Sequence, residues 1–239
     1  MTTLFISDLH LDAGEPDTIR RFQTFIERDA REARELYILG DLFEAWVGDD
    51  DDDPRLAPIV AALARLTRAG VPCAVMHGNR DFLIGPRFCA ATGCRLLGDY
   101  ERIELYGEQV LLTHGDLLCT DDTRYQSLRA TLRNPAWQRE FLARPLAERR
   151  KIAAELRELS ANEIAAKSYE IMDVNQATVE RTMRDHGVSL LLHGHTHRPA
   201  IHRFELEGVP AARIVLGAWY EHASILRWDE RGYRLETLA

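Results

Sequence analysis

The sequence predicts an α/β fold interrupted by a helical insertion, and three observations carry that expectation. Short apolar runs, several closing on an aspartate, asparagine or histidine, alternate with stretches of helical period. From residue 121 to about 168 the chain holds helix formers with no strand between them. Its 239 residues suffice for a single domain, 1–239, with its own core and one insertion, 121–168.

The run Leu36-Tyr37-Ile38-Leu39 reads as a buried parallel strand that stops at Gly40 and delivers Asp41. Open α/β sheets put their ligands at that carboxyl end. A lone Gly-Asp reads more readily as a helix cap. Four further runs end in the same way, however, at Asp8-Leu9-His10, at Gly78-Asn79-Arg80-Asp81, at His114-Gly115-Asp116 and at Gly194-His195-Thr196-His197. Five strands delivering such groups to one rim point to a metal site.

In chain order, Thr3 to Ser7 is the first expected strand, and Asp8 and His10, two apart in an extended loop, face one side. Asp17 is expected to cap a helix running to Glu27 or beyond, with Ile19, Phe22, Phe25 and Ile26 inward. The five aspartates Asp49 to Asp53 read as a solvated, self-repelling loop. Pro54 is expected to open a helix to Ala69, followed by a strand from Val71 to Met76. Glu101 to Tyr106 and Gln109 to Thr113 read as a hairpin about Gly107-Glu108. Two or three helices fill the insertion, and one more runs from Asp173 to Gly187. Short antiparallel strands with turns near Glu207-Gly208 and Glu230-Arg231-Gly232 form the tail.

The balance of 30 basic and 38 acidic residues, net −8, argues against a general nucleic-acid binder. Charge is uneven: nine basic and three acidic residues lie between Arg124 and Arg157, so that window is +6. It suits an anionic substrate or an anionic membrane surface, and equally a solvated helix face. Cys73, Cys89, Cys94 and Cys119 lack C-x-x-C spacing and read as reduced thiols. With no apolar run of about 18 residues and no targeting segment expected, the chain reads as a soluble or peripheral cytoplasmic protein.

Carboxylate, imidazole and amide ligands without thiolate suit Mn²⁺, Fe²⁺ or Zn²⁺. Two neighbouring ions need a bridging carboxylate, and Asp41 on its central strand is the natural one. Hydroxide held between such ions is a nucleophile at neutral pH, which leads to the expectation of phosphoester or phosphoanhydride hydrolysis.

Asp8-x-His10, Gly40-Asp41, Gly78-Asn79-x-Asp81, His114 and Gly194-His195-x-His197, in that order, resemble the calcineurin-like metallophosphoesterase superfamily. The resemblance implies an αββα sandwich of two sheets flanked by helices. It implies one ion on Asp8, His10, Asp41 and His197, and a second on Asp41, Asn79, His114 and His195.

A narrower resemblance rests on Phe43-Glu44-Ala45-Trp46-Val47-Gly48-Asp49-Asp50, on Arg80 where the superfamily usually has histidine, on His114-Gly115-Asp116 and on the helical insertion. These are similar to the UDP-2,3-diacylglucosamine diphosphatase family of lipid A biosynthesis. That likeness implies cleavage of the UDP-linked diacylated glucosamine to UMP and 2,3-diacylglucosamine 1-phosphate with two Mn²⁺, by a protein peripheral to the inner face of the inner membrane. It implies substrate contacts at Asn79, Arg80, Asp122, Ser160, Lys167 and His195, with Asp41, Asn79, Arg80 and His195 carrying catalysis. Ile164 and Ala218 depart from the family pattern. A monomer is expected. Leu128, Leu132, Trp137, Phe141, Leu142, Ile152 and Leu156 are candidates for a sleeve around acyl chains, or for packing the insertion against itself. A soluble metallophosphoesterase acting on nucleotides or other phosphoesters is the alternative, with a non-catalytic scaffold of the same fold as a further rival.

Overall fold

The computed structural model describes residues 1–166, 173–220 and 223–238, with residues 160–166 described as backbone. Among the described residues eleven strands form two sheets, and their positions follow from the apolar runs. The first sheet has the order β11-β10-β1-β2-β3-β4. In it β1 (Thr3–Ile6), β2 (Glu35–Ile38), β3 (Cys73–Val75) and β4 (Arg95–Leu96) run parallel, while β10 (Ser224–Asp229) and β11 (Gly232–Thr237) are antiparallel additions. The second sheet has the order β5-β6-β7-β9-β8, with β6 (Glu108–Thr113), β7 (Leu190–His193) and β9 (Val209–Val215) parallel. Its edges are β5 (Tyr100–Leu105) and β8 (Ala200–Leu206).

Period-two alternation sorts each strand's side chains between two layers. Phe5, Tyr37, Ala74 and Met76 meet Leu105, Val110, Leu112, Leu192 and Ile214 between the sheets. The opposite face of the first sheet, with Leu4, Ile6, Leu36 and Ile38, packs on α1 (Pro16–Arg28), α2 (Ala57–Arg68) and α3 (Pro86–Thr92). The opposite face of the second, with Leu111 and Leu191, packs on Val179 and Met183 of α7 (Gln176–Asp185). The layers are therefore helix, sheet, sheet, helix, as the family resemblance implied.

Several local expectations need correction. Asp17 lies inside α1, whose N-cap is Glu15 with no side-chain cap bond. The next helix starts at Ala57, three residues past Pro54, and the last begins at Gln176 after an Asn175 cap. The run Asp49 to Asp53 is not a solvated, self-repelling loop. Asp49 accepts from the backbone N–H groups of Gly85, Arg87 and Phe88 at 2.9–3.0 Å and so fastens the start of α3. Asp50 and Asp51 pair with Arg149 and Arg150 of the insertion.

That insertion is α4 (Thr123–Leu132), α5 (Pro135–Leu142) and α6 (Leu146–Ala166). It stands over the first sheet's rim. Arg149 is only 1% exposed and donates to the carbonyls of Val47 and Arg144 as well as to Asp50. Arg133, at the end of α4, donates to the carbonyl of Gly78 at 2.8 Å. Part of the basic island is thus turned inward, holding the insertion on the domain. All four cysteines are free, three of them buried. No helix among the described residues is long and apolar enough to cross a membrane.

Candidate metal centre

The loops that leave β1, β2, β3, β6 and β7 bring the ligating groups of two sheets to one rim. They do so in unusual backbone conformations. Asp8, His10, Asp41, His195 and His197 all have φ between 49° and 67°, the left-handed region that costs a non-glycine residue energy. The remaining non-glycine residues with positive φ, Tyr106 and Glu207, sit in hairpin turns. Strain gathered on five predicted ligands marks a site for which the fold gives up stability.

Close approach of the loops explains two glycines. A Cβ on Gly78 would collide with the Asp41 carboxylate, and one on Gly194 with Ser7 and Asp8. Asp81 ties the loops together from below. Its buried carboxylate accepts from Gly78 N–H at 2.8 Å, Leu42 N–H at 2.8 Å and Phe43 N–H at 3.3 Å. An ion pair with Arg80 is therefore not its role; the Arg80 guanidinium instead faces Glu44, whose Oε1 is 3.6 Å from Nη1.

Ligand atoms of Asp8, His10 and His197 lie within 4.8 Å of one another, and so do those of Asp8, Asp41 and His114. Asp41 Oδ2 is 3.6 Å from His10 Nε2 and 3.8 Å from His114 Nε2, so one oxygen faces both halves. Asp8 also belongs to both groups, and the central position is shared between the two aspartates. Asn79 Oδ1 lies 3.0 Å from His114 Nε2 and 3.0 Å from His195 Nδ1, which closes the second half. All seven predicted ligands are therefore brought together.

The electrostatics favour a cation here. Burial alone would raise the Asp8 carboxyl, yet contact with His197 and the nearby His114 and His10 hold it far below the usual range. Burial lowers His10, but Glu44, Asp41 and Asp8 outweigh it and raise the imidazole to about 9. His114 is raised against its burial by Asp41, Asp8 and Asp116. His195 is pushed down to about 4 by burial and by His114. The aspartates thus favour positive charge at this rim strongly enough to raise His10 and His114 against their burial. Asp8 Oδ1 is buried, with His197 Nε2 at 3.3 Å and no other partner among the described residues. An oxygen of that kind is what a divalent ion coordinates, and oxygen and nitrogen donors without thiolate suit a hard or borderline cation.

Neighbouring groups orient the donors. His10 Nδ1 lies 2.8 Å from Glu44 Oε2, His197 Nδ1 lies 2.8 Å from the Tyr220 hydroxyl, and His114 Nδ1 lies 2.8 Å from the Leu39 carbonyl. Tyr125 is packed beside His195, its ring 5.8 Å from the imidazole, and donates to the buried Asp116. Sequence reading missed Tyr125 and Tyr220; an aromatic in an insertion helix or after a strand carries no signal until the chain is folded. Among the expected substrate contacts, Arg80 and Asn79 flank the metal group, while Asp122 caps α4 by accepting from Tyr125 N–H. The Lys167 residue and the Ser160 side chain lie outside the described residues.

A cavity of about 110 Å³ starts at Asn79 and Arg80 and runs under the insertion. Five of the seven expected sleeve residues line it, namely Leu128, Leu132, Trp137, Phe141 and Leu156. Leu142 is instead 41% exposed, and Ile152 packs against the main core.

A family model for calcineurin-like phosphoesterases matches residues 1–199. The chain belongs to the calcineurin-like phosphoesterase family. Curated relatives named UDP-2,3-diacylglucosamine hydrolase are 51% identical in Klebsiella pneumoniae subsp. pneumoniae, 52% in Salmonella arizonae and 51% in Serratia proteamaculans, each over 95% of both chains. The solved structure of Vacuolar Protein Sorting 29 from Cryptosporidium parvum is 12% identical, with a TM-score of 0.50 over 99% of this chain and 96% of that one. That likeness concerns the fold alone.

Proposed function

We propose that this member of the family hydrolyses the pyrophosphate bond of UDP-2,3-diacylglucosamine to UMP and 2,3-diacylglucosamine 1-phosphate. The observation that carries the reading is the apolar cavity that opens directly beside Asn79 and Arg80. Nucleotides and phosphoproteins have no use for such a space, whereas an acyl chain does. The names of the relatives point to the same substrate.

In this reading Asp8, His10, Asp41 and His197 hold one divalent ion, and Asp41, Asn79, His114 and His195 hold a second, Mn²⁺ in both places. Bound there, the ions acidify a water and neutralise charge on a phosphoryl oxygen. The chain's own groups do the rest. Arg80 presents a fixed fork of donors to the pyrophosphate and to the charge that grows on the departing sugar phosphate. Asn79 and His195 hold the attacked phosphate in place, and Asp122, Ser160 and Lys167 contact the remainder of the substrate. No acid is needed for the leaving group, because a phosphate with a second pKa near 6 departs unaided.

The insertion, 121–168, acts as a lid. At about 110 Å³ its cavity is well below the ~300 Å³ of ordinary ligand pockets, so the helices must part to admit acyl chains. In this reading the enzyme works as a monomer and meets its bilayer-anchored substrate at the inner face of the inner membrane. The test compares kcat/KM for UDP-2,3-diacylglucosamine and UDP-N-acetylglucosamine. Burying about four methylenes corresponds to roughly 3 kcal/mol, on the order of 100-fold in favour of the lipid. Equal turnover would overturn the reading.

A further inference from the structure

Glu44 lies three residues beyond Asp41, in the loop that leaves β2, and its side chain is 26% exposed. Its two oxygens face different partners. Oε2 is 2.8 Å from His10 Nδ1. Oε1 is 3.6 Å from Arg80 Nη1 and 4.0 Å from Arg157 Nη1, the latter on α6 of the insertion. Both cations sit beside Oε1 and leave free the oxygen that meets the imidazole.

A histidine presents one nitrogen to a cation only when its other nitrogen carries the proton. With Nδ1–H donated to Glu44, the lone pair of His10 is on Nε2. That nitrogen points into the rim, 3.6 Å from Asp41 Oδ2 and 3.3 Å from His197 Nε2. The backbone adds nothing to this choice: His10 itself sits in the left-handed region, φ 49°, and its ring is held by side chains.

We propose that Glu44 is a positioning residue, which fixes the tautomer and orientation of His10 and through Arg157 makes that setting depend on the insertion. The inference rests on the reading that Asp8, His10, Asp41 and His197 hold a divalent ion. It differs from a purely structural role, since Glu44 is part-exposed and belongs to no apolar cluster. It also differs from a simple contribution of negative charge. Asp12 Oδ2 stands 3.6 Å from the same Arg157 nitrogen and offers an equal charge that does not touch His10.

The test titrates metal-free protein with Co²⁺, read by calorimetry and by the visible spectrum, with no substrate present. Wild type should take two equivalents. Glu44→Gln, which keeps an acceptor but loses the charge, should weaken one of them by about 10-fold, and Glu44→Ala by up to about 100-fold, each with a changed spectrum. Asp12→Asn should match wild type. Melting curves identify any variant that has not folded, and Glu44→Gln, near-isosteric at a part-exposed position, then stands alone. Wild-type affinity and spectrum in Glu44→Gln would overturn the inference, and so would an equal loss in Asp12→Asn. A wild-type chain that takes up no Co²⁺ would overturn the metal centre itself and this inference with it.

Discussion

Arg149 Nη1 lies 2.8 Å from Asp50 Oδ1, although the two residues are 99 positions apart. The guanidinium is buried, and it also donates to the carbonyls of Val47 and Arg144. One arginine thus joins α6 to the loop after β2. Arg149→Ala would leave two carbonyls short of a donor and one carboxylate unpaired. Asp50 is 48% exposed, so its share is small. The carbonyls set the scale, about 2 kcal/mol. Urea unfolding should register that loss, and limited proteolysis should cut the insertion first. Arg150, 43% exposed and paired with Asp51 and Asp52, should cost less than about 1 kcal/mol when replaced by alanine.

The Arg149 contact also bears on membrane docking. A buried guanidinium cannot reach lipid headgroups, so any docking of the +6 window on anionic lipid would have to use exposed residues such as Arg144 and Lys151.

Arg80 lines the cavity beside Asn79, and its Nε is buried with no hydrogen-bond partner among the described residues. In the proposed function that donor meets an oxygen of the pyrophosphate. Arg80→Ala should lower turnover of the UDP-glycolipid by about 100-fold or more, the scale of losing one such donor. Metal content, read by elemental analysis, should not change.

Acid should destabilise the chain through a histidine outside the ligand set. His193 is fully buried, and Arg213 Nη1 donates to its Nε2 at 3.1 Å. Burial, then the Arg213 charge, push it down to about 3. Its folded value lies below the unfolded 6.5, so between the two the unfolded chain binds the extra proton. Stability therefore falls as pH drops below about 6.5, by up to ~1.4 kcal/mol per pH unit for this group. Urea unfolding at pH 7 and pH 5 measures the slope, and His193→Gln should reduce it.

The parts of the fold that could be read from sequence are those whose cause is local. β1, β2, β3, β6 and β7 are apolar runs with a ligating residue at the exit, and each was legible. The hairpin was legible, but its turn is Tyr106-Gly107, both at positive φ, one position before the expected Gly107-Glu108. α3, with seven residues, and β4, with two, are too short to show a period and were missed. The tail strands were foreseen as antiparallel. Their division between two sheets was not, because β9 pairs with β7 and β10 with β1 across long separations. The Asp49 to Asp53 run was misread for the same reason: its partners Arg149 and Arg150 lie in another part of the chain. At the rim, residue types and order identified the seven candidate ligands, whereas Glu44, Tyr125 and Tyr220 became visible as their neighbours only in three dimensions.

The most direct measurement of the central claim is the identity of the products. Purified protein is incubated with UDP-2,3-diacylglucosamine and Mn²⁺, and the nucleotide and lipid fractions are separated. Hydrolysis inside the pyrophosphate gives UMP and 2,3-diacylglucosamine 1-phosphate in equal amounts, and Asp41→Ala, which removes an oxygen facing both halves of the centre, should release neither. Release of UDP or of inorganic phosphate, or full activity in Asp41→Ala, would contradict it.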